Sequence, residues 1–320
     1  TKSGFSIVTY EGNNTQNATV PHGLGIEPKI VIIKRTDVAN AWWIPLPILG
    51  SNQFMEFSNA GATTDSQYEY TQTSDIFKFT SASQSAQYNA SGGEYVMYSF
   101  GDIPGYQKAG TYTGTGVDRG NYVYTDSNGD GTGTDGFEPA FLLVKRSSSA
   151  GSNWFLYDNK RMYTSEAPHN PLNGELRPDT SNAEDDYDGF NFYSNGFEVA
   201  NSGTNMNQSG QTFIYLAIGA DKDTSVPSAA NSFEPTLYSG TGSAQSIYGS
   251  FKPDFVWTKN VLASASHYLF DSVRNPGEEI YSDLTAMEFY DSSTLITFDP
   301  NGFSLGSGTG VNNNSNSYVA

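Results

Sequence analysis

Pro253-Asp254-Phe255-Val256-Trp257-Thr258-Lys259, followed by His267-Tyr268-Leu269-Phe270-Asp271-Ser272-Val273-Arg274, reads as a buried strand, a polar turn and a second strand that ends in an acid and a base. The same order appears earlier as Pro139-Ala140-Phe141-Leu142-Leu143-Val144-Lys145 with Trp154-Phe155-Leu156-Tyr157-Asp158-Asn159-Lys160-Arg161. A fainter copy is Pro28-Lys29-Ile30-Val31-Ile32-Ile33-Lys34 with Trp42-Trp43-Ile44-Pro45. In each copy a lysine stands six residues after a proline, at the end of a run of apolar or β-favouring residues. Self-similarity at a fixed spacing, here roughly a hundred residues, marks a repeat architecture of three related modules, each large enough for its own core.

Composition narrows the class. The 320 residues carry 16 Lys+Arg against 34 Asp+Glu, a net charge of −18. Nucleic-acid binding draws its affinity from a basic footprint, so this balance argues against it, and equally against docking on anionic lipid. Only 16% of residues are charged and 14% are aromatic, in a background of Gly, Ser, Thr and Asn. Aromatics suit pleated faces and Gly, Asn and Asp supply turns, so the expected class is all-β. The chain has no cysteine, which removes disulfides and thiol chemistry. No apolar run approaches the roughly 18 residues of a membrane-spanning helix.

Each copy opens on an aromatic-x-Gly element: Tyr10-Glu11-Gly12, Tyr112-Thr113-Gly114 and Tyr238-Ser239-Gly240. Continuous apolar strands such as Ile30–Ile33 and Phe141–Val144 predict cover on both faces. The two later copies carry Asn195-Gly196 and Asn301-Gly302 between alternating aromatics, the strongest short-range hairpin signal; the first has Phe77-Lys78-Phe79 and needs another turn. Helical signal is weak, with at most a turn or two at Asp283–Glu288. Module limits fall at 1–104, 105–222 (loop-expanded) and 236–320, with 223–235 reading as a polar linker. Ser317-Tyr318-Val319-Ala320 matches Thr212-Phe213-Ile214-Tyr215, which runs on through Leu216-Ala217-Ile218-Gly219. The last strand thus reads as cut short, and the chain as a piece of a longer polypeptide.

The sharpest site-like feature is the loop Asp126…Asp135. Asp126, Asn128 and Asp130, followed by Gly131, place oxygens at the spacing of a calcium loop, which makes them candidate calcium ligands. Phe137 stands where a bidentate Glu would be expected, and the competing reading is a Gly/Asp hairpin tip. Gly302-Phe303-Ser304-Leu305-Gly306 spells a nucleophile elbow but lies in a hairpin instead of a strand-to-helix turn, so it is read as coincidence. His22, His169 and His267 are isolated, and His267 takes the place of Trp154 as a packing residue. The Asp158/Arg161 and Asp271/Arg274 pairs read as structural ion pairs fixing a turn, absent from the first copy, where Pro47 takes the place of the acid. The lysines 34, 145 and 259 are expected to pack their stems and send the ammonium to water. Glu184-Asp185-Asp186 reads as a solvated loop, and Trp42-Trp43 as core in preference to a sugar-stacking surface. No catalytic pair is marked out, so catalytic and cofactor residues are expected to be none.

Tyr-x-Gly-x-Gly, then Gly249-x-Phe251-x-Pro253-Asp254-Phe255-Val256-Trp257-x-Lys259-Asn260, His267-x-Leu269-Phe270-Asp271-Ser272-Val273-Arg274 and Asp299-x-Asn301-Gly302-Phe303-x-Leu305 resemble a repeated module of tailed-phage virion structural and tail-fibre-like proteins from marine and environmental phages. The third copy matches over nearly all its length, the second is loop-expanded, and the first has lost the Asp/Arg pair and the Asn-Gly turn. The resemblance implies tandem antiparallel β-sandwich modules, concanavalin-like or jelly-roll-like, at a virion surface and outside the cell. It implies other virion subunits, or copies of the chain itself, as partners and no catalytic residues. Variable loops at the ends of the sandwiches are the expected place for contact with host-surface polysaccharide. The expected function is a non-enzymatic virion component such as a tail fibre. A capsid-decorating or head-fibre protein is the alternative, and a secreted carbohydrate-binding or glycan-degrading protein the alternative from another class.

Overall fold

A computed structural model describes residues 3–50, 52–58, 60–82, 84–161, 171–219 and 232–320. His169 and most of the expected linker 223–235 lie outside these residues. The protein is nearly all β, with antiparallel sheets packed face to face in a sandwich-like fold.

The three copies share one plan. In each, an opening strand, a closing strand and the lysine-bearing strand lie side by side in that order. They are Phe5–Glu11, Glu94–Phe100 and Ile30–Arg35 in copy 1, and Gln107–Thr113, Thr212–Gly219 and Pro139–Arg146 in copy 2. In copy 3 they are Leu237–Ser239, Ser317–Val319 and Phe255–Asn260. A second sheet, built on a hairpin, covers this one: Tyr70–Gln72 with Ile76–Phe79, Asp185–Tyr193 with Gly196–Val199, and Leu295–Asp299 with Gly302–Leu305. Between the sheets each copy has its own core, centred on Trp43 and Phe77, on Phe190 and Phe213, and on Phe270 and Phe303.

The hairpin glycines answer to a constraint beyond the turn. A Cβ on Gly196 would stand 2.1 Å from the Val123 carbonyl oxygen, and one on Gly302 2.0 Å from that of Ile247. Copy 1 turns instead through Ser74-Asp75, where the Thr73 hydroxyl accepts from the Asp75 and Ile76 amides. The only helical turns among the described residues apart from two 3-10 turns are Thr204–Asn207 and Thr309–Asn312, so Asp283–Glu288 does not form the expected one.

A fourth apolar cluster belongs to all three copies. Ile30, Ile32 and Trp42, then Leu143, Trp154 and Leu216, then Leu269, Ile280 and Val319 meet in one core. The lysine-bearing strands are therefore covered on both faces, by their own second sheet and by the neighbouring copies. Phe57 lies at the junction, its ring 5.3 Å from Trp42, 5.2 Å from Trp154 and 6.1 Å from Trp257. The modules are not beads in series; they pack as a closed ring.

The ring is stitched by one set of hydrogen bonds used three times. The residue two places after each lysine accepts from the next copy: Glu288 N to Thr36 O at 2.9 Å, Glu184 N to Val261 O at 3.0 Å and Ala62 N to Ser147 O at 2.7 Å. Trp42 Nε1 donates to Tyr281 O at 2.9 Å, and Trp154 Nε1 to Glu56 O at 2.8 Å. His267 stands at the third such place, with Nδ1 accepting from Trp257 Nε1 and Nε2 facing the Arg177 backbone without a well-formed bond. Copy 1 thus meets copy 3, copy 3 meets copy 2, and copy 2 meets copy 1. A head-to-tail contact that closes after three steps is a cyclic assembly within one chain.

Candidate interaction site

The repeated polar residues lie at the joints between and within copies. Lys34, Lys145 and Lys259 are almost wholly buried, at 0%, 0% and 1% exposure. Their ammonium groups do not reach water, contrary to the expectation from snorkelling. Lys34 Nζ donates to Asn40 O at 3.0 Å and Lys259 Nζ to Ala265 O at 2.7 Å, while Lys145 Nζ donates to Ser152 O. Each lysine pins the loop that leads into the following strand, the one that ends in an acid in copies 2 and 3. Lys34 also reaches Thr285 O and Lys259 reaches Ser181 O, across the joints. Burial lowers all three from 10.5 to about 8, partly offset by Asp37, Asp179 and Asp283 respectively.

The Asp/Arg pairs are buried ion pairs, and each takes a third member. Arg161 meets Asp158 and Glu184 at 2.6 Å each; Arg274 meets Asp271 at 2.8 Å and Glu288 at 2.7 Å. Burial alone would depress the Arg161 guanidinium, but Asp158 and Glu184 hold it above its usual range. Glu184 is therefore not part of a solvated loop: its side chain is 8% exposed, whereas Asp185 and Asp186 are exposed. Strand pairing of Ile44 with Met55, alongside Leu269 with Ile280, puts Leu46 in the place of the acid, one residue before Pro47. Counting on the same way, Leu49 stands for the arginine, and the shared joint amide sets Ala62 in the place of the glutamate.

A buried asparagine in each copy escaped the sequence reading. Asn89, Asn207 and Asn312 hold the turn after the opening strand. Asn207 Oδ1 accepts from Thr115 N at 2.8 Å, Asn312 Oδ1 from Thr241 N at 2.8 Å and Asn89 Oδ1 from Asn13 N at 2.9 Å. The neighbouring glycines of the aromatic-x-Gly elements let the backbones touch there: a Cβ on Gly12 or Gly114 would lie 2.2 Å from a facing carbonyl oxygen, and on Gly240 2.1 Å. An Asn shortly before each closing strand was the available signal.

The loop residues proposed as calcium ligands engage their own loop. Asp126, 1% exposed, accepts from Gly131 N and from Gly133 N at 2.7 Å; Asp130 accepts from Thr132 N and its hydroxyl; Asn128 Nδ2 donates to the Thr132 hydroxyl. Hydrogen bonds from Thr132 hold the Asp130 carboxyl below its usual range. Among the described residues no group of three or more His, Cys, Asp or Glu is placed to hold a metal. Ser304 Oγ donates to Asp299 at 2.6 Å and lies 3.1 Å from the Ser246 hydroxyl. His22 is buried, with Nδ1 accepting from Leu24 N, which leaves Nε2 to donate to Thr73 O at 3.1 Å. Trp42 and Trp43 are buried core residues, at 2% and 0% exposure.

Among the described residues, two features stand out as places for a partner. One is the strand Phe289–Tyr290 at the edge of the copy 3 sheet, with Phe289 56%, Tyr290 61% and nearby Met287 52% exposed. The equivalent positions, one and two after the joint amide, are Thr63–Thr64 in copy 1 and Asp185–Asp186 in copy 2. Only copy 3 presents an aromatic pair there. The other is an apolar cleft of about 720 Å³ where the three copies meet, lined among others by Phe5, Phe141, Phe233, Phe255 and Trp257.

A family profile described as a domain of unknown function, DUF7483, matches residues 1–221 and 228–320. The chain belongs to the DUF7483 family. No curated protein matches it. In this DUF7483 chain the polar residues common to the copies serve joints and turns, and the edge at Phe289–Tyr290 is a place where the copies differ at the surface.

Proposed function

We propose that this chain is a non-enzymatic structural component of a virion surface, a tail fibre or similar appendage, that meets neighbouring subunits and host-surface glycans through positions that differ between its copies. One observation carries the reading. The repeated Lys, Asp/Arg/Glu and Asn residues are buried and hydrogen-bonded within the ring, so what recurs is scaffold chemistry. The Met287, Phe289, Tyr290 edge is the favoured contact surface. An exposed edge strand is a template for pairing, and aromatic faces stack on sugar rings or anchor protein contacts. The resemblance to tail-fibre modules supplies the biological setting, and the acidic surface suits an exposed part that must stay soluble.

The test is to locate the chain in purified particles with a labelled antibody and to screen it against glycans. Tail labelling is expected, and head labelling would move the assignment to a capsid-decorating protein. Replacing Phe289 and Tyr290 by Asp, the residues of copy 2, is expected to weaken subunit or glycan binding at least tenfold with the fold intact. Absence from particles, or release of sugar fragments from a polysaccharide, would overturn the proposal.

A further inference from the structure

We infer that the Phe289–Tyr290 edge takes an extended segment of a basic partner polypeptide, one of whose arginines pairs with the buried carboxylate of Glu279. The inference rests on the reading of that edge as a contact surface and adds the chemistry of the partner. Strand register puts the three copies on one frame. Glu175 stands opposite Asp185, Glu279 opposite Phe289 and Phe54 opposite Thr63. Each is followed by the residue that pairs with the acid-bearing strand or its counterpart: Leu176, Ile280 and Met55. Copies 2 and 3 thus bury a glutamate at one place, at 1% and 3% exposure, where copy 1 buries Phe54.

The two glutamates have different company. In copy 2 Arg177, two residues on, meets Glu175 at 2.6 Å and Asp185 at 2.9 Å, and Tyr157 OH donates to the other Glu175 oxygen at 2.9 Å. In copy 3 the same three places hold Tyr281, Phe289 and Phe270. Glu279 keeps one hydrogen bond, from Tyr281 OH to Oε1, while Oε2 has no partner. The nearby Thr294 hydroxyl is committed to Asp291 O at 2.9 Å. Burial raises the Glu279 carboxyl above its usual range, and Asp291 adds a like charge. Among the described residues no cation pairs with it. A buried acid left without its cation is costly, and copy 2 shows that a guanidinium is what this place accommodates.

The edge gives that cation a way in. Residues directly opposite on neighbouring strands share a face, so Glu279 and the exposed Phe289 lie on one side of the sheet. Phe289–Tyr290 is the last strand, and a residue added opposite Phe289 would stand two strand spacings from Glu279, about 10 Å between backbones. An arginine crosses that span over the Phe289 ring, since a guanidinium both stacks on aromatic faces and grips a carboxylate through two N–H groups. Tyr281 is half-buried, and its hydroxyl can yield Oε1 to the stronger donor. The partner is not a second copy of this chain. All six of its arginines are engaged: Arg35 with Asp37, Arg119 with Asp188, Arg146 with Gln208, and Arg161, Arg177 and Arg274 with the acids described above. A net charge of −18 also sets like chains against each other and favours a basic partner.

Two labelled peptides test this on the whole chain by fluorescence anisotropy: Thr-Val-Arg-Val-Thr and the same peptide with citrulline, which keeps the shape of arginine without its charge. The arginine peptide is expected to bind at least tenfold more tightly. Glu279→Gln is expected to abolish that preference with circular dichroism unchanged. Tyr281→Arg installs the cation of copy 2, and is expected to raise the thermal midpoint and to weaken the arginine peptide at least tenfold. A preference for arginine that survives Glu279→Gln would reflect the acidic surface at large and would overturn the inference, as would a lowered midpoint in Tyr281→Arg. Equal binding of both peptides, or glycan binding without peptide binding, would also overturn it; if such binding is lost when Phe289 and Tyr290 are replaced by Asp, the edge itself still stands as a contact surface. Binding of neither peptide nor glycan would overturn both.

Discussion

Copies 2 and 3 bury an Asp-Arg-Glu triad where copy 1 buries Leu46, with Leu49 and Ala62 packed against the same core. The backbone around the two solutions is the same, down to the joint amide on Glu184, Glu288 and Ala62. The difference shows that the ring does not need the ions for its geometry. It needs three mutually matched side chains. A buried ion pair repays its desolvation only when complete, whereas an apolar set of similar volume carries no such debt.

Breaking one triad should therefore produce the largest effect. Arg274→Leu leaves Asp271 buried and Glu288 half-buried without their cation and Tyr98 donating to an uncompensated acid. A loss of about 3–5 kcal/mol is expected, read as a fall in the denaturant midpoint; a loss below about 1 kcal/mol would show the triad to be solvated. The complementary change, Asp158→Leu with Arg161→Leu and Glu184→Ala, makes copy 2 resemble copy 1. It should be neutral or stabilising by up to about 4 kcal/mol, and a marked loss would mean that the ions fix the joint after all.

This comparison also explains what the sequence could reveal. The sandwich copies were legible because strands, Asn-Gly turns and the proline-to-lysine spacing are local signals. The pairing of Asp with Arg three residues on was legible for the same reason. The third member was not, because Glu184 and Glu288 lie 23 and 14 residues from their arginines and look like ordinary loop acids. The lysines misled because snorkelling is the rule at the end of an isolated sandwich strand; the continuous apolar strands pointed to cover on both faces, but no local pattern showed that two other copies supply it and close over the ammonium groups as well. The shared core at Phe57 depends on contacts between copies, which no local pattern encodes. The aromatic edge at Phe289–Tyr290 becomes informative only once its register against Asp185–Asp186 and Thr63–Thr64 is known.

Like the buried asparagines, the lysines are kept by all three copies, and pH tests them. Burial holds each at about 8 in the folded chain against 10.5 when free. Between these values the unfolded chain binds more protons than the folded one, so stability rises with pH, by at most about 1.4 kcal/mol per pH unit for each lysine. Beyond about pH 10 the slope should reverse, because Tyr98 and Tyr112 are held above their usual range by burial and ionise first in the unfolded chain. Urea midpoints measured from pH 7 to 11 check the shape. Lys34→Met should remove about a third of the rise, and a flat profile in the parent chain would mean that the carbonyls around each ammonium fully replace water.

The smallest effect concerns how the copies share volume at the junction. Copies 1 and 2 place Trp42 beside Ile32 and Trp154 beside Leu143, whereas copy 3 places His267 beside Trp257. The large ring has changed strands. His267 serves as the acceptor for the Trp257 indole, and burial keeps it well below the usual imidazole range, so it stays neutral. His267→Trp alone should overpack the junction and cost about 1–3 kcal/mol. Adding Trp257→Leu restores the arrangement of copy 2, with an indole aimed at the Arg177 backbone as Trp154 is aimed at Glu56, and should bring the chain within about 1.5 kcal/mol of the parent. If the double variant is no better than the single one, the three junction positions are not equivalent, and the ring is held by contacts particular to each pair of copies.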